Sequence, residues 1–206
     1  MVQTVPAPLT LEAFFEHVPD DGRFELRNGV VVEMQPTGTH EQVAGFLAQQ
    51  LAVTIHTNAL PYLIPRQAIL KAADSDLSGY NPDVVVLNKD ALKNEPLWSK
   101  RSTLVEGKAV VLAIEVVSTN WQDDYLLKQG EYERLGIPEY WIVDYLGLGG
   151  KRLIGNPKQP TLTICELVEG EYQIRLLRNQ DPLVSRAFPR LNLRVDQIFA
   201  AGQENS

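Results

Sequence analysis

Two carboxylates interrupt the most apolar, β-branched runs of this chain, and no other feature constrains its fold as tightly. Asp83 opens Val84-Val85-Val86-Leu87, and Glu115 lies inside the run Ala109 to Val117. Short β-branched runs of this kind form buried strands. An unpaired carboxylate in such surroundings costs on the order of several kcal/mol or stays protonated. Each acid therefore needs something positive beside it: a metal ion, a lysine or arginine, or backbone N–H groups.

Side chains alternate along a strand. If the two strands are neighbours in register, Asp83 and Glu115 approach closely enough to share one ion. Mg2+ (or Mn2+) suits such a pair, because Mg2+ is held by one or two carboxylates and keeps several waters. The alternative is that each acid sits at a strand end, exposed or capping a turn. Lys128 lies on the helix that follows the Glu115 strand and can fold back over the same face, where it would orient a nucleophile or neutralise a transition state. It also stands four residues after Asp124, the spacing of an ordinary surface ion pair.

The surrounding pattern predicts an α/β protein. Thr10 caps a short helix through Phe14, Phe15 and Val18, after an extended lead-in with Pro6 and Pro8, and Asp20-Asp21-Gly22 closes it. Phe24 to Arg27 and Val30 to Met34 flank Asn28-Gly29, a two-residue hairpin turn. Residues 41–56 repeat Val43, Phe46, Leu47, Leu51 and Ile55 at helical spacing. Tyr62 to Leu70 reads as a strand with an edge or bulge at Pro65, and residues 88–108 as loop or short helix. A helix over residues 122–135 ends at Gly136, before a strand at Tyr140 to Val143. Beyond a Gly/Pro-rich link, residues 161–168 and 172–177 form a second hairpin, followed by a strand-like stretch at 183–188 and a short helix around 195–199. The expected architecture is one domain over residues 1–206. Its mixed-sheet core, about 40–145, runs helix, three strands, helix, strand. A β-hairpin (about 23–34) is added at the amino end and a β extension (about 161–200) at the carboxy end.

Composition narrows the function. No run approaches the roughly 20 apolar residues of a membrane span, and MVQTVPAPLT has no basic region typical of a secretory signal, so a cytoplasmic protein is expected. The single cysteine, Cys165, excludes an internal disulfide framework and a multi-cysteine zinc site, and reads as a small apolar residue in a strand. Net charge is -7, with 11 basic and 20 acidic residues up to position 149 but 8 and 6 beyond it. An acidic balance argues against broad phosphate contact, although acids clustered in the first part are also what a divalent-metal site produces.

Several segments together resemble a known family: Phe24-Glu25-Leu26 with Gly29; Pro82 to Val86; Ile114-Glu115-Val116-Val117-Ser118; and Lys128 through Gly136-Ile137-Pro138-Glu139-Tyr140-Trp141-Ile142-Val143-Asp144. They are similar to the bacterial Uma-two family of restriction endonucleases within the PD-(D/E)XK nuclease superfamily, from about Leu11 to Phe199. The resemblance implies a restriction-endonuclease-like core, with Asp83 and Glu115 as metal-binding acids and DNA as substrate. The superfamily lysine two residues after the second acid is Val117 here, and the resemblance assigns its place to Lys128. Asp124 and Tyr132 match family positions, as do Glu25 and His40. Glu25 could add a ligand or simply pair across its hairpin; His40 could do the same or cap the helix beside it.

Two functions follow as expectations. One is a Mg2+- or Mn2+-dependent DNA endonuclease, by analogy a homodimer. The other is a catalytically silent nuclease-fold module that binds nucleic acid or a protein partner. The distribution of basic side chains separates them. Lys89, Lys93, Lys100, Arg101, Lys108, Arg175, Arg178, Arg186, Arg190 and Arg194 would line a groove leading to Asp83 in the first case, and scatter over remote faces in the second.

Overall fold

The computed structural model describes residues 7–19 and 22–203, so the lead-in at Pro6 and the closing Asp20-Asp21 pair lie outside the described residues. The helix α1 (Leu11–His17) starts where Thr10 accepts a hydrogen bond from the Ala13 N–H. Strands β1 (Phe24–Arg27) and β2 (Val30–Glu33) form the expected hairpin, with Asn28 at φ 50° and Gly29 at φ 78°. Two positive φ angles give a turn whose twist matches that of its flanking strands.

Helix α2 (Gly38–Thr57) begins three residues before the expected start and is capped by Thr37, whose hydroxyl accepts from the His40 N–H. Then come β3 (Tyr62–Leu63), β4 (Ile69–Lys71), β5 (Gly79–Tyr80), β6 (Val84–Asn88), α3 (Trp98–Arg101) and β7 (Thr103–Leu104). Strand β8 (Val110–Val116) leads through a π-helical turn, Asp123–Lys128, into α4 (Gln129–Arg134) and β9 (Glu139–Asp144). The chain continues through α5 (Lys151–Ile154), β10 (Thr161–Val168), β11 (Glu171–Leu177) and α6 (Val195–Ala200).

The strands form two mixed sheets. The larger has the order β11-β10-β9-β8-β6-β3, with β8 and β9 parallel and the other neighbours antiparallel. A parallel pair needs a crossover, and the π-helical turn with α4 supplies it, which lays those residues over one face of the sheet. That face carries Val85, Ala113, Val117, Tyr140 and Ile142, packed against Tyr132 and Leu135 and against Leu70, Tyr80 and Leu104 of the second sheet. The opposite face carries Val86, Leu112, Ile114, Trp141 and Val143, packed against Val43, Leu47 and Leu51 of α2 and Ile198 and Phe199 of α6. The second sheet has the order β2-β1-β5-β4-β7.

Two expectations are corrected. The segment 62–70 is not one strand: β3 joins the larger sheet and β4 the smaller, and Pro65 between them breaks the run. The stretch 183–188 forms no strand; Leu183 bonds to Leu193 and Pro182 bridges Arg194, while Ser185 and Ala187 are tied to buried Glu139. The expected helix at 122–135 is present, with a π-helical turn over Asp123–Lys128. The α/β class, the mixed sheet and the core order hold.

Cys165 is buried on β10, and burial pushes its thiol pKa up to about 12. Thiolate is the reactive form, so iodoacetamide at pH 8 is expected to leave the native protein unlabelled. Mass spectrometry should find full labelling after unfolding in urea; rapid labelling of the folded chain would contradict this packing.

Candidate active site

Strands β6 and β8 pair antiparallel with Val84 opposite Ile114. One more step in that register sets Asp83 opposite Glu115, and the alternation of side chains puts both on the face that α4 crosses. The Asp83 side chain is 3% exposed and that of Glu115 is 1% exposed. Asp83 lies just before the start of β6 and takes the place of a further ladder partner. Its Oδ2 accepts the Val116 N–H at 2.7 Å, and His40 Nε2 lies 2.9 Å from the Val116 carbonyl and 3.2 Å from Asp83 Oδ2. Arg23 Nη2 lies 3.0 Å from Asp83 Oδ1, which nonetheless has no aligned hydrogen bond. Arg23 spends its own N–H groups on the Asn81 and Pro82 carbonyls.

Glu115 is held from α4 and the turn before it. Its Oε1 accepts from Tyr132 Oη at 2.8 Å and lies 3.0 Å from Lys128 Nζ. The same ammonium lies 2.9 Å from Glu25 Oε1 and 3.7 Å from Asp124 Oδ1. Lys128 is therefore a buried bridge between two acids, 1% exposed, and not a surface partner of Asp124. The π-helical turn ends at this lysine; such turns occur often at functional sites.

Glu25 does not pair across its hairpin, where Val32 faces it. It is fully buried, accepting the Asn81 N–H at Oε1 and Arg27 Nε and Nη2 at Oε2 (2.8 and 2.6 Å). Arg27 Nη1 reaches across to Asp123. His40 is not the cap of α2, since Thr37 has that role; its ring is turned toward Asp83. Five of the six acids and bases singled out in the sequence thus line one cleft of about 350 Å3, and the sixth, Glu25, lies behind it in contact with Lys128. Arg23, Arg27, His40, Asp83, Glu115, Asp124, Lys128 and the loop Ser118–Asn120 line the cleft. Arg23 and Arg27 were missed, although Arg23, Glu25 and Arg27 alternate along β1, so their side chains share one face.

The cluster holds more carboxyl groups than cationic side chains. Burial opposes ionisation of Glu25 and Asp83, but Lys128 and Arg27 beside the first, and His40 and Arg23 beside the second, outweigh it and lower both pKa values. For Glu115 burial wins over Lys128 and pushes the carboxyl well up, with Asp83, Asp124 and Glu25 adding repulsion. Asp124 is raised in the same way to about 7. Burial works against the charge of Lys128, but its acidic neighbours outweigh that and hold its pKa above the usual value. His40 is likewise raised despite burial, by Asp83 and the Val116 carbonyl.

These features fit a divalent cation at Asp83 and Glu115. Asp83 Oδ1 is buried without a hydrogen-bond partner, and Glu115 lacks enough positive charge beside it to ionise readily, which an added cation would supply. Among the described residues no three His, Cys, Asp or Glu side chains converge as a ready-made cage. A donor set of two carboxylates with water completing the shell would suit Mg2+. None of the ten basic residues expected as a footprint lines the cleft. Lys93, Lys108, Arg175, Arg186 and Arg194 pair with nearby acids instead.

The sequence profile of the Uma2 family, described as "Putative restriction endonuclease", matches residues 11–196. No curated protein matches the chain. Among solved structures, a crystal structure described as a "putative nuclease belonging to DUF820" from Anabaena variabilis superposes with a TM-score of 0.72 at 14% identity, covering 95% of this chain and 100% of that one. That likeness shows a shared fold.

Two measurements probe the cluster. Asp124 carries a proton in the folded state below about 7 but in the unfolded state only below the ordinary aspartate value of 3.8. Folding thus takes up a proton between these values, and this group's contribution to stability falls as pH rises through that window. Urea denaturation at pH 4.5 to 7 should show Asp124→Asn removing a negative slope of up to about 1 kcal/mol per pH unit; an unchanged slope would contradict the assignment. Lys128→Met leaves Glu25 and Glu115 without their shared cation and should cost about 3 kcal/mol at pH 7.5 by the same method, where a loss under about 1 kcal/mol would mean the bridge is not formed.

Proposed function

Because the chain belongs to the Uma2 family, a family of restriction-endonuclease type, we propose that it is a metal-dependent nuclease that hydrolyses DNA phosphodiester bonds at the Asp83–Glu115 cleft. The observation that carries this reading is the facing register of two buried carboxylates with an ammonium 3.0 Å from one of them. Asp83 and Glu115 would hold Mg2+ or Mn2+. The bound cation would lower the pKa of a water molecule and neutralise charge developing on a phosphate.

The protein's own groups prepare the site. His40 and Arg23 keep Asp83 ionised and fix its direction, and the Val116 N–H holds Oδ2, so that Oδ1 is the oxygen left without a hydrogen bond. Tyr132 and Lys128 both engage Oε1 of Glu115. The Lys128 ammonium makes two short contacts and one long one to Asp124, so its third N–H is the group with capacity to hold a water or a phosphate oxygen. Val117 stands where the superfamily lysine would be and is packed in the core, and Lys128 reaches the same acid from the crossover.

A second reading has an observation in its favour. Every cation in the cleft is already engaged by an acid, and the expected basic footprint lies elsewhere. That favours a catalytically silent module over a duplex-binding enzyme.

Incubation of single-stranded and plasmid DNA with Mn2+ decides between them. The nuclease reading expects cleavage that EDTA abolishes and that Glu115→Gln lowers at least about 100-fold, corresponding to about 2.7 kcal/mol of transition-state stabilisation. Circular dichroism checks that the variant is folded. Activity that survives EDTA, or that Glu115→Gln leaves intact, would sink the mechanism; binding without cleavage would support the silent module.

A further inference from the structure

We propose that Arg27 is a phosphate-binding residue of this cleft, kept closed in the free protein by Asp123, which occupies the place of the substrate anion. The proposal rests on the nuclease reading above and names how a phosphodiester is seated.

The cations that line the cleft differ in what they can give up. Lys128 is ringed by Glu25, Glu115 and Asp124, all three of them buried, so none is free to leave it. His40 is committed to Asp83 and the Val116 carbonyl. Arg23 is anchored through Nη2 by Asp83 and two backbone carbonyls, and its Nη1 lies 3.8 Å from exposed Glu41, too far for a hydrogen bond. Arg27 alone among them has one end hydrogen-bonded to a fully buried acid and the other hydrogen-bonded to a partly exposed one. Its Nε and Nη2 grip Oε2 of Glu25, which sets the plane of the guanidinium. Its Nη1 meets Asp123, whose side chain is 28% exposed. A guanidinium held on one edge and presenting the other is the fork that recognises phosphate oxygens.

Asp123 can leave that contact at little cost. It sits at the start of the π-helical turn, on the cleft wall beside the loop Ser118–Asn120, and solvent is available to its carboxylate. Glu25 cannot leave, because Lys128 and the Asn81 N–H hold its other oxygen. An arriving phosphate therefore displaces Asp123 and leaves the guanidinium where Glu25 set it. Arg27 and Lys128 grip opposite oxygens of that same acid, so the displaced contact lies next to the ammonium at Glu115. A purely structural strut between β1 and the π-helical turn would use the same pair but would gain nothing from its loss.

The test measures binding in EDTA, so that turnover plays no part, of a short fluorescent single-stranded oligodeoxynucleotide and of inorganic phosphate. Asp123→Asn is expected to bind the oligonucleotide at least about fivefold tighter than the wild type, and the further change Arg27→Gln in that background should erase the gain. Glu33→Gln removes another acid from the cleft wall and controls for net charge alone. An Asp123→Asn protein that is folded but binds no tighter, or a Glu33→Gln protein with an equal gain, overturns the proposal. A gain for inorganic phosphate but not for the oligonucleotide overturns the phosphodiester as its ligand. If Asp123→Asn shows the gain while the wild type cleaves nothing with Mn2+, the phosphate site stands and the nuclease chemistry falls.

Discussion

The ammonium of Lys128, buried between Glu25 and Glu115, is the contact on which the rest of this cleft depends. Glu25 belongs to β1 in the smaller sheet and Glu115 to β8 in the larger one, so a single side chain on the crossover joins both sheets. Burying these charges is costly, and attraction offsets the cost only because the remaining lone pairs are used as well. Tyr132 and the Asn81 N–H take up two of them, and Arg27 occupies the far oxygen of Glu25. Replacing the cluster with apolar side chains would fill the space as well and could stabilise the fold. A buried cluster of acids and bases in a cleft is therefore a candidate for chemistry rather than a source of stability.

The division of charge within the cluster has a consequence for function. Asp83 and Glu25 each have enough positive neighbours to stay ionised, whereas Glu115 and Asp124 do not. An added cation beside Glu115 would reverse that balance. The protein therefore holds one acid ready and leaves its partner dependent on the arriving charge. The same economy governs Arg27, which is fixed by Glu25 on one side and held by an exchangeable acid on the other.

Much of this was legible in the sequence, and what was not has physical causes. The two carboxylate-bearing strands, the crossover helix ended by Gly136 and the Asn28-Gly29 hairpin were readable because each depends on local pattern. The smaller sheet was not. Strands β4, β5 and β7 have two or three residues each, too short for alternation to register. Residues 183–188 mimic a strand because they are apolar, yet their backbone is tied to Glu139 and Leu193. For Lys128, spacing alone favoured a surface pair with Asp124. Its burial follows from tertiary approach of Glu25, about a hundred residues earlier, which no local rule could show.

The central claim is that Asp83 and Glu115 form one cation site. Anomalous diffraction from a crystal soaked in Mn2+ at neutral pH tests it directly. A single peak within about 2.3 Å of a carboxylate oxygen from each of Asp83 and Glu115 is the predicted result. A fully soaked crystal with no peak there, or with Mn2+ bound only elsewhere, would contradict it.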